Sequence, residues 1–342
     1  MPDRLLDLAY EVSRVTEEKV AVIDRVMRQT GMLAINARLE AARAGTAGNA
    51  FAVVAQEVGG VAQAIRDVSA ELRNAIGENV DLLESVGERM RVEMRGTRYA
   101  DLARHAVETM DRNLYERSCD VRWWATDSAV VDVLTRDSSA ARAHASSRLA
   151  TILRSYTVYL DLWIADQDGI VVANGRPERY GVIGQSVAEM SWFRAAMQTY
   201  SGDEFHVDDV ARVPMLGGAA AATYATAVRR DGNSDGGAIG ALGIFFDWAP
   251  QAAAIVEGVR ASTGDDESTR AMLLDHDGRV IAASDGRGLL EERYPLTSGA
   301  VTHGHYERGD QLVAFALTPG YETYRGLGWY GCIDAPIERR AR

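Results

Sequence analysis

The chain is short of the residues that staple, break or strongly charge a fold. Its 342 residues include two cysteines and seven prolines. Cys119 and Cys332 sit in unrelated contexts, which argues against a disulfide framework and for reduced thiols. Positive charge is in deficit, and a formal net charge of -12 argues against a nucleic-acid partner. Long apolar runs are missing too. The longest weakly polar stretches, such as residues 238–246, fall far short of the ~20 apolar residues of a membrane helix, and residues 1–8 carry no signal-peptide pattern. These absences lead us to expect no membrane span and a cytoplasmic location. A phosphate-binding glycine loop, a nucleophile elbow and a helical metal motif are absent as well, so the chain reads as a non-enzyme without a cofactor. His303 and His305, on one strand face, are the only hint of a metal site, and no third ligand is identifiable.

What is present is an ordinary folding composition, 47% hydrophobic and 25% charged, at a length that suits two or three domains. Residues 3–93 contain no proline and almost no period-two alternation, so they should be nearly all helix. Steps of three and four through Phe51, Val54, Val58, Val61, Ile65, Val68, Leu72, Leu82 and Val86 trace an apolar seam of the heptad kind. Before residue 45 the same stepping picks Leu5, Leu8, Val12, Val15, Val22, Val26 and Leu33, beside a second stripe of Val20, Ile23 and Met27. Gly45 and Gly48 flank a tight reversal between the two arms. Two arms cannot bury both stripes alone. The physical expectation is therefore a homodimer forming an antiparallel four-helix bundle, with arms of ~40 residues or ~60 Å.

Around that reversal, QTGMLAINARLEAARAG and GNAFAVVAQEV resemble the signalling tip of bacterial chemoreceptors, the methyl-accepting chemotaxis proteins. The resemblance implies a homodimer whose tip meets a CheA-type histidine kinase and a CheW-type coupling protein. It places Asn36, Glu40, Arg43, Val54 and Glu57 at the kinase and tip contact, with Glu40 and Arg43 as the tip charge pair. On physical grounds alone those charges are a solvated helix face. Several tip positions depart from the family: Arg28, Gly31, Arg38, Thr46 and Asn49. Glu17 and Glu18 form the one carboxylate pair resembling a methylation site.

Beyond Arg91 we expect a new helix over residues 98–132, a break at 135–138 and another helix to about Tyr156. Trp123 and Trp124 point about 100° apart on such a helix, so one can anchor to a domain and the other to a partner helix, with core packing the default for both. From residue 158 strand signals dominate. YLDLWIADQDGIVVANG reads as a hairpin around an Asp-Gly turn, and AMLLDHDGRVIAAS repeats it about 110 residues later. Asp166, Asp168, Asp275 and Asp277 are turn formers. Further strands are expected over residues 214–230, 237–247, 303–306, 311–318 and 328–333, with a short helix over 192–199.

A long helix followed by two such units resembles a double Cache sensor, built of two PAS-like modules of which the first holds a small-molecule ligand. The resemblance places Trp192, Phe193, Tyr224 and Asp247 at ligand-binding positions, where aromatic faces and a carboxylate would suit an amine. Met190 stands where the amino-acid-binding pattern has an arginine. The expected class is therefore multidomain, α then α+β. Its parts are a signalling hairpin (1–93), connecting long helices (94–157), a first, ligand-binding Cache module (158–248) and a second module (249–342). The expected function is a chemoreceptor-like transducer. A dimeric sensor or scaffold whose hairpin only oligomerises is the alternative.

Overall fold

The structure, a computed structural model, describes residues 2–136, 138–264 and 268–337, with side chains from residue 7 onward. Leu5 of the expected seam lies outside the described side chains. Two compact units meet in the sequence between Arg95 and Gly96.

In the first unit, helix α1 (Pro2–Arg43) leads through a 3-10 turn (Gly45–Gly48) into helix α2 (Asn49–Trp124). The turn needs both of its glycines. Gly45 takes a positive φ of 63°, and a Cβ on Gly48 would lie 2.0 Å from the Ala41 carbonyl oxygen. Asp24 and Arg73 tie the arms together at 2.6 Å.

The arms meet along small residues. Val20, Ala34 and Ala41 of α1 and Ala55, Ala62 and Ser69 of α2 are buried, the last three at steps of seven. Short side chains let the helix axes approach closely, so the hairpin closes on them. The branched stripe read from the sequence is left facing outward: Phe51 is 75% exposed, Val61 57%, Val68 62% and Leu33 68%.

Gly96 does not end a helix as expected, because α2 continues through it to Trp124. A glycine costs about 1 kcal/mol within a helix without breaking it. Here the missing side chain has a use, since a Cβ at Gly96 would meet the His305 ring at 2.2 Å. The break falls instead after Trp124, where the Asp127 side chain accepts from the Ala129 N–H and caps α3 (Ser128–Thr135). Ser138 caps α4 (Ser139–Ser155) in the same way.

The second unit carries two antiparallel sheets of five strands. The first contains β1 (Tyr159–Asp166), β2 (Val171–Asn174), β3 (His206–Val213), β4 (Ala219–Arg229) and β5 (Ala238–Asp247). The second contains β6 (Arg270–Leu274), β7 (Val280–Ala283), β8 (His303–Arg308), β9 (Gln311–Leu317) and β10 (Tyr330–Pro336). Their strand orders, β2-β1-β5-β4-β3 and β7-β6-β10-β9-β8, are the same path repeated. Helix α5 (Ser191–Met197) lies on the first sheet, and α6 (Trp248–Thr263) links the two.

The repeated Asp-Gly turns are alike in detail. Asp166 Oδ1 accepts the N–H groups of Asp168 and Ile170, and Asp275 Oδ1 accepts those of Asp277 and Arg279. Strand β3 and helix α6 were not anticipated from the sequence. HVDDVARV carries three charges and little alternation, and α6 follows β5 with no capping side chain.

The last third of α2 runs along both sheets. Its Ala103 carbonyl lies against Gly331 of β10, where a Cβ would come within 2.4 Å. Its Asp120 accepts from the Tyr159 hydroxyl of β1 at 2.5 Å. The modules also bond directly: Trp329 Nε1 donates to Asp209 at 2.7 Å, and Arg279 donates to the Val210 carbonyl at 3.0 Å. Trp248 packs edge-on against Trp329, their rings 5.0 Å apart. Among the described residues no helix is long and apolar enough to cross a membrane.

Candidate functional sites

The hairpin turn presents every tip position outward. Asn36, Glu40, Arg43, Val54 and Glu57 are all exposed. Glu40 and Arg43 pair within α1 at 2.8 Å with both side chains largely in water, so the pair contributes little to stability and stays available to a partner.

On the first sheet, α5 delivers Trp192 and Phe193 together into the core, their rings 5.9 Å apart. Trp192 stands edge-on to Phe245, which packs 4.1 Å from Trp163. Gly243 makes room, since a Cβ there would approach the indole to 3.0 Å. The indole N–H donates to Met190 Sδ at 3.3 Å. A thioether is thus the partner of the indole N–H, at the position where the resemblance has an arginine.

Tyr224 is not brought to Trp192. Ala221 and Ala225 of β4 point into the Trp192 core, so by strand alternation Tyr224 points to the opposite face. There it stacks on Phe205 and donates to the Tyr324 hydroxyl at 3.4 Å. Asp247 ends β5 half-buried, its N–H on the Val158 carbonyl. Burial pushes its carboxyl up, and the nearby Arg179 and Arg176 oppose that.

Three polar groupings went unread in the sequence. Beside Trp192, Ser191 Oγ donates to Asp208 at 2.6 Å and His206 Nε2 sits 2.8 Å from the same carboxylate. Burial pushes the Asp208 carboxyl up, but the bonds from His206 and Ser191 outweigh it and hold it below its ordinary value. Asp161, fully buried, accepts from Leu162, Gly175 and Arg176 main-chain N–H groups, Trp163 Nε1 and Asn174 Nδ2, clasping the β1–β2 hairpin. On α2, Arg117 lies 3.2 Å from Asp120 and over the ring of Tyr159. Burial pushes Asp120 up against the opposing pull of Tyr159 and Arg117. None of the three was legible as a motif, because each is completed by a residue from another element. Among the described residues no group of three histidine, cysteine or acidic side chains could hold a metal.

The tryptophan pair divides, against the expectation of core packing for both. Trp124 is buried edge-on to Tyr156 and Tyr159, whereas Trp123 is 70% exposed.

Residues 6–121 match the model of the methyl-accepting chemotaxis protein (MCP) signalling domain. The chain is 44% identical over 78 residues to methyl-accepting chemotaxis protein I of Escherichia coli (strain K12), covering 21% of this chain and 14% of that protein. It is 58% identical over 50 residues to methyl-accepting chemotaxis protein McpK of Pseudomonas aeruginosa, covering 15% and 8%. The matched region thus spans less than a fifth of the length of these relatives. The sensory domain of the Campylobacter jejuni chemoreceptor Tlp3 superposes with a TM-score of 0.53 at 15% identity, covering 73% of this chain and 96% of that one. The ligand-binding domain of the Pseudomonas aeruginosa PAO1 amino acid chemoreceptor PctC, in complex with GABA, gives 0.52 at 17%, covering 69% and 96%. At such identities the likeness is one of fold.

Proposed function

We propose that this chain, which joins a methyl-accepting chemotaxis signalling domain to a sensor of double Cache fold, is a chemoreceptor-like transducer that senses a small molecule and signals to a CheA-type histidine kinase through a CheW-type coupling protein. The observation that carries the reading is the outward face of the hairpin. Its branched apolar stripe has no partner within the chain, while Asn36, Glu40, Arg43, Val54 and Glu57 stand exposed at the turn. A second copy would bury the stripe in an antiparallel four-helix bundle and leave the tip to the kinase and coupling protein.

We assign signalling to residues 1–93, connection to 94–157, ligand binding to 158–248, with Trp192, Phe193 and Asp247 as candidate contacts, and support to 249–342. The kinase is a cytoplasmic partner, and the cytoplasm is the proposed compartment. The input has to act as a difference in ligand affinity between two states of the sensor. Because α2 begins at the turn and ends against the first sheet, a ligand-dependent change at that sheet can bias the hairpin.

The test is co-sedimentation of the full chain with kinase and coupling protein, read alongside kinase autophosphorylation. No association and no change in kinase rate would sink the proposal. A dimer whose hairpin only oligomerises is the second reading, favoured by the exposed Arg28 and Thr46 where the family has phenylalanine and glutamate. Coupling that emerges only in Arg28→Phe or Thr46→Glu would establish it.

A further inference from the structure

At the C-terminal turn of α2 a cavity of about 350 Å³ opens between Cys119, Arg122 and Trp123 on one side and Asp203, Ala227 and Arg229 on the other. It shares no lining residue with the Trp192 cluster. Its volume is at the small end of ligand pockets, whose range is roughly 300–1,000 Å³.

The electrostatics of its two guanidinium groups are unusual. Arg229 is only 7% exposed, and its Nη atoms donate to the carbonyls of Gly236 and Thr199. Its Nε has no partner among the described residues. Arg122 donates to the Ser118 carbonyl at 2.8 Å and the Asp203 carbonyl at 3.3 Å, approaches Cys119 Sγ at 3.6 Å and stacks over Phe205. Among the described residues neither arginine has a carboxylate within ion-pair distance, in a chain whose net charge is -12. A buried guanidinium answered by two carbonyls and the Thr199 hydroxyl, with a donor unmet and no counter-charge, is costly unless an anion completes it. Beside them stands Trp123, 70% exposed, while the other five tryptophans are buried. An open indole next to paired cations offers a flat apolar face at the rim of an anion site.

We infer that this cavity binds a small monoanionic carboxylate carrying a planar apolar body, with Arg229 and Arg122 taking the carboxylate and Trp123 the flat face. The guanidinium fork matches a carboxylate in geometry and charge, and the exposed carboxylate of Asp203 at the cavity disfavours a dianion. The inference goes beyond the proposed signalling function and does not depend on kinase coupling.

Calorimetric titration of the full chain with benzoate tests it, with benzamide, acetate and inorganic phosphate as comparison probes. Benzoate should bind saturably, and each comparison probe at least about tenfold more weakly. Trp123→Ala and Arg122→Gln should each weaken benzoate at least about tenfold while each variant keeps a cooperative ligand-free melting transition. Both touch side chains outside the core, so neither depends on the fold surviving loss of Arg229. Absence of saturable benzoate binding, equal binding of benzamide or phosphate, or affinity untouched by both variants would overturn the assignment.

Discussion

Replacing Val61 and Val68 together by serine should dissociate the proposed dimer while leaving each hairpin intact. Both valines face outward on α2, 57% and 62% exposed in the single chain. Fully burying a valine is worth roughly 1.5–3 kcal/mol, so covering the exposed three-fifths of each contributes about 1–2 kcal/mol. A two-fold interface counts every residue twice, which makes four such side chains and about 4–7 kcal/mol. Imperfect packing at the interface absorbs about half of this, leaving about 2–4 kcal/mol, or roughly a hundredfold in dimer dissociation constant. Serine and valine have similar helix propensities, so the substitutions leave the isolated helix nearly unchanged. Sedimentation equilibrium of the 37.2 kDa chain reads the result directly, and far-UV circular dichroism checks the helix. The reasoning is refuted if the parent chain sediments as a monomer at every concentration, or if the variant dimerises as tightly as the parent.

Other outcomes follow from single contacts. Burial pushes the Asp111 carboxyl up to about 6, with Glu108 adding to the rise and the Gly320 N–H and Thr318 opposing it. A raised carboxyl favours the folded state below about pH 4 and loses that contribution as pH climbs through about 6. Asp111→Asn should therefore gain stability over the parent at about pH 7.5, by an upper limit of about 3 kcal/mol that screening reduces to about 1–2, with a smaller gap at about pH 5. Urea unfolding at both pH values checks this, and a pH-independent gap would contradict it. Gly31→Ala should stabilise the hairpin by up to about 1 kcal/mol, because the new methyl meets nothing closer than Arg66 Nη1 at 3.8 Å. Gly48→Ala should destabilise it by about 1–3 kcal/mol through its clash with the Ala41 carbonyl, so the two alanine variants should move the melting curve in opposite directions. Trp192→Ala should cost about 3–5 kcal/mol, the price of a large core side chain, and thermal unfolding without any added ligand should show it.

Much of the fold was legible because its signals are local. The Gly45–Gly48 reversal, the Asp166 and Asp275 turns and the repeated strand pairs each depend on a few adjacent residues whose backbone preferences leave little choice. The candidate sites were legible only in part. Trp192 and Phe193 are neighbours in sequence and meet as expected, whereas Tyr224 went to the opposite face of the sheet because alternation along β4 is set by its pairing with β5. Helix α2 shows the same limit in another form. Glycine weakens a helix without breaking it, so Gly96 read as a boundary although the helix runs on, and only the tertiary structure shows the His305 ring filling the space its missing side chain leaves.

By itself the sequence determined the hairpin, its turn, the doubled strand unit and the two apolar stripes. Those are matters of spacing and backbone preference. The tertiary structure alone decided which stripe turned inward. Alanine and serine allow a closer helix approach than valine, so the small-residue line through Ala55, Ala62 and Ser69 closed the hairpin and the larger side chains were left outside. It also decided where charge went unanswered. Arg122 and Arg229 are 107 positions apart in the sequence, and only the tertiary packing brings both guanidinium groups to one cavity, with no carboxylate at ion-pair distance from either among the described residues.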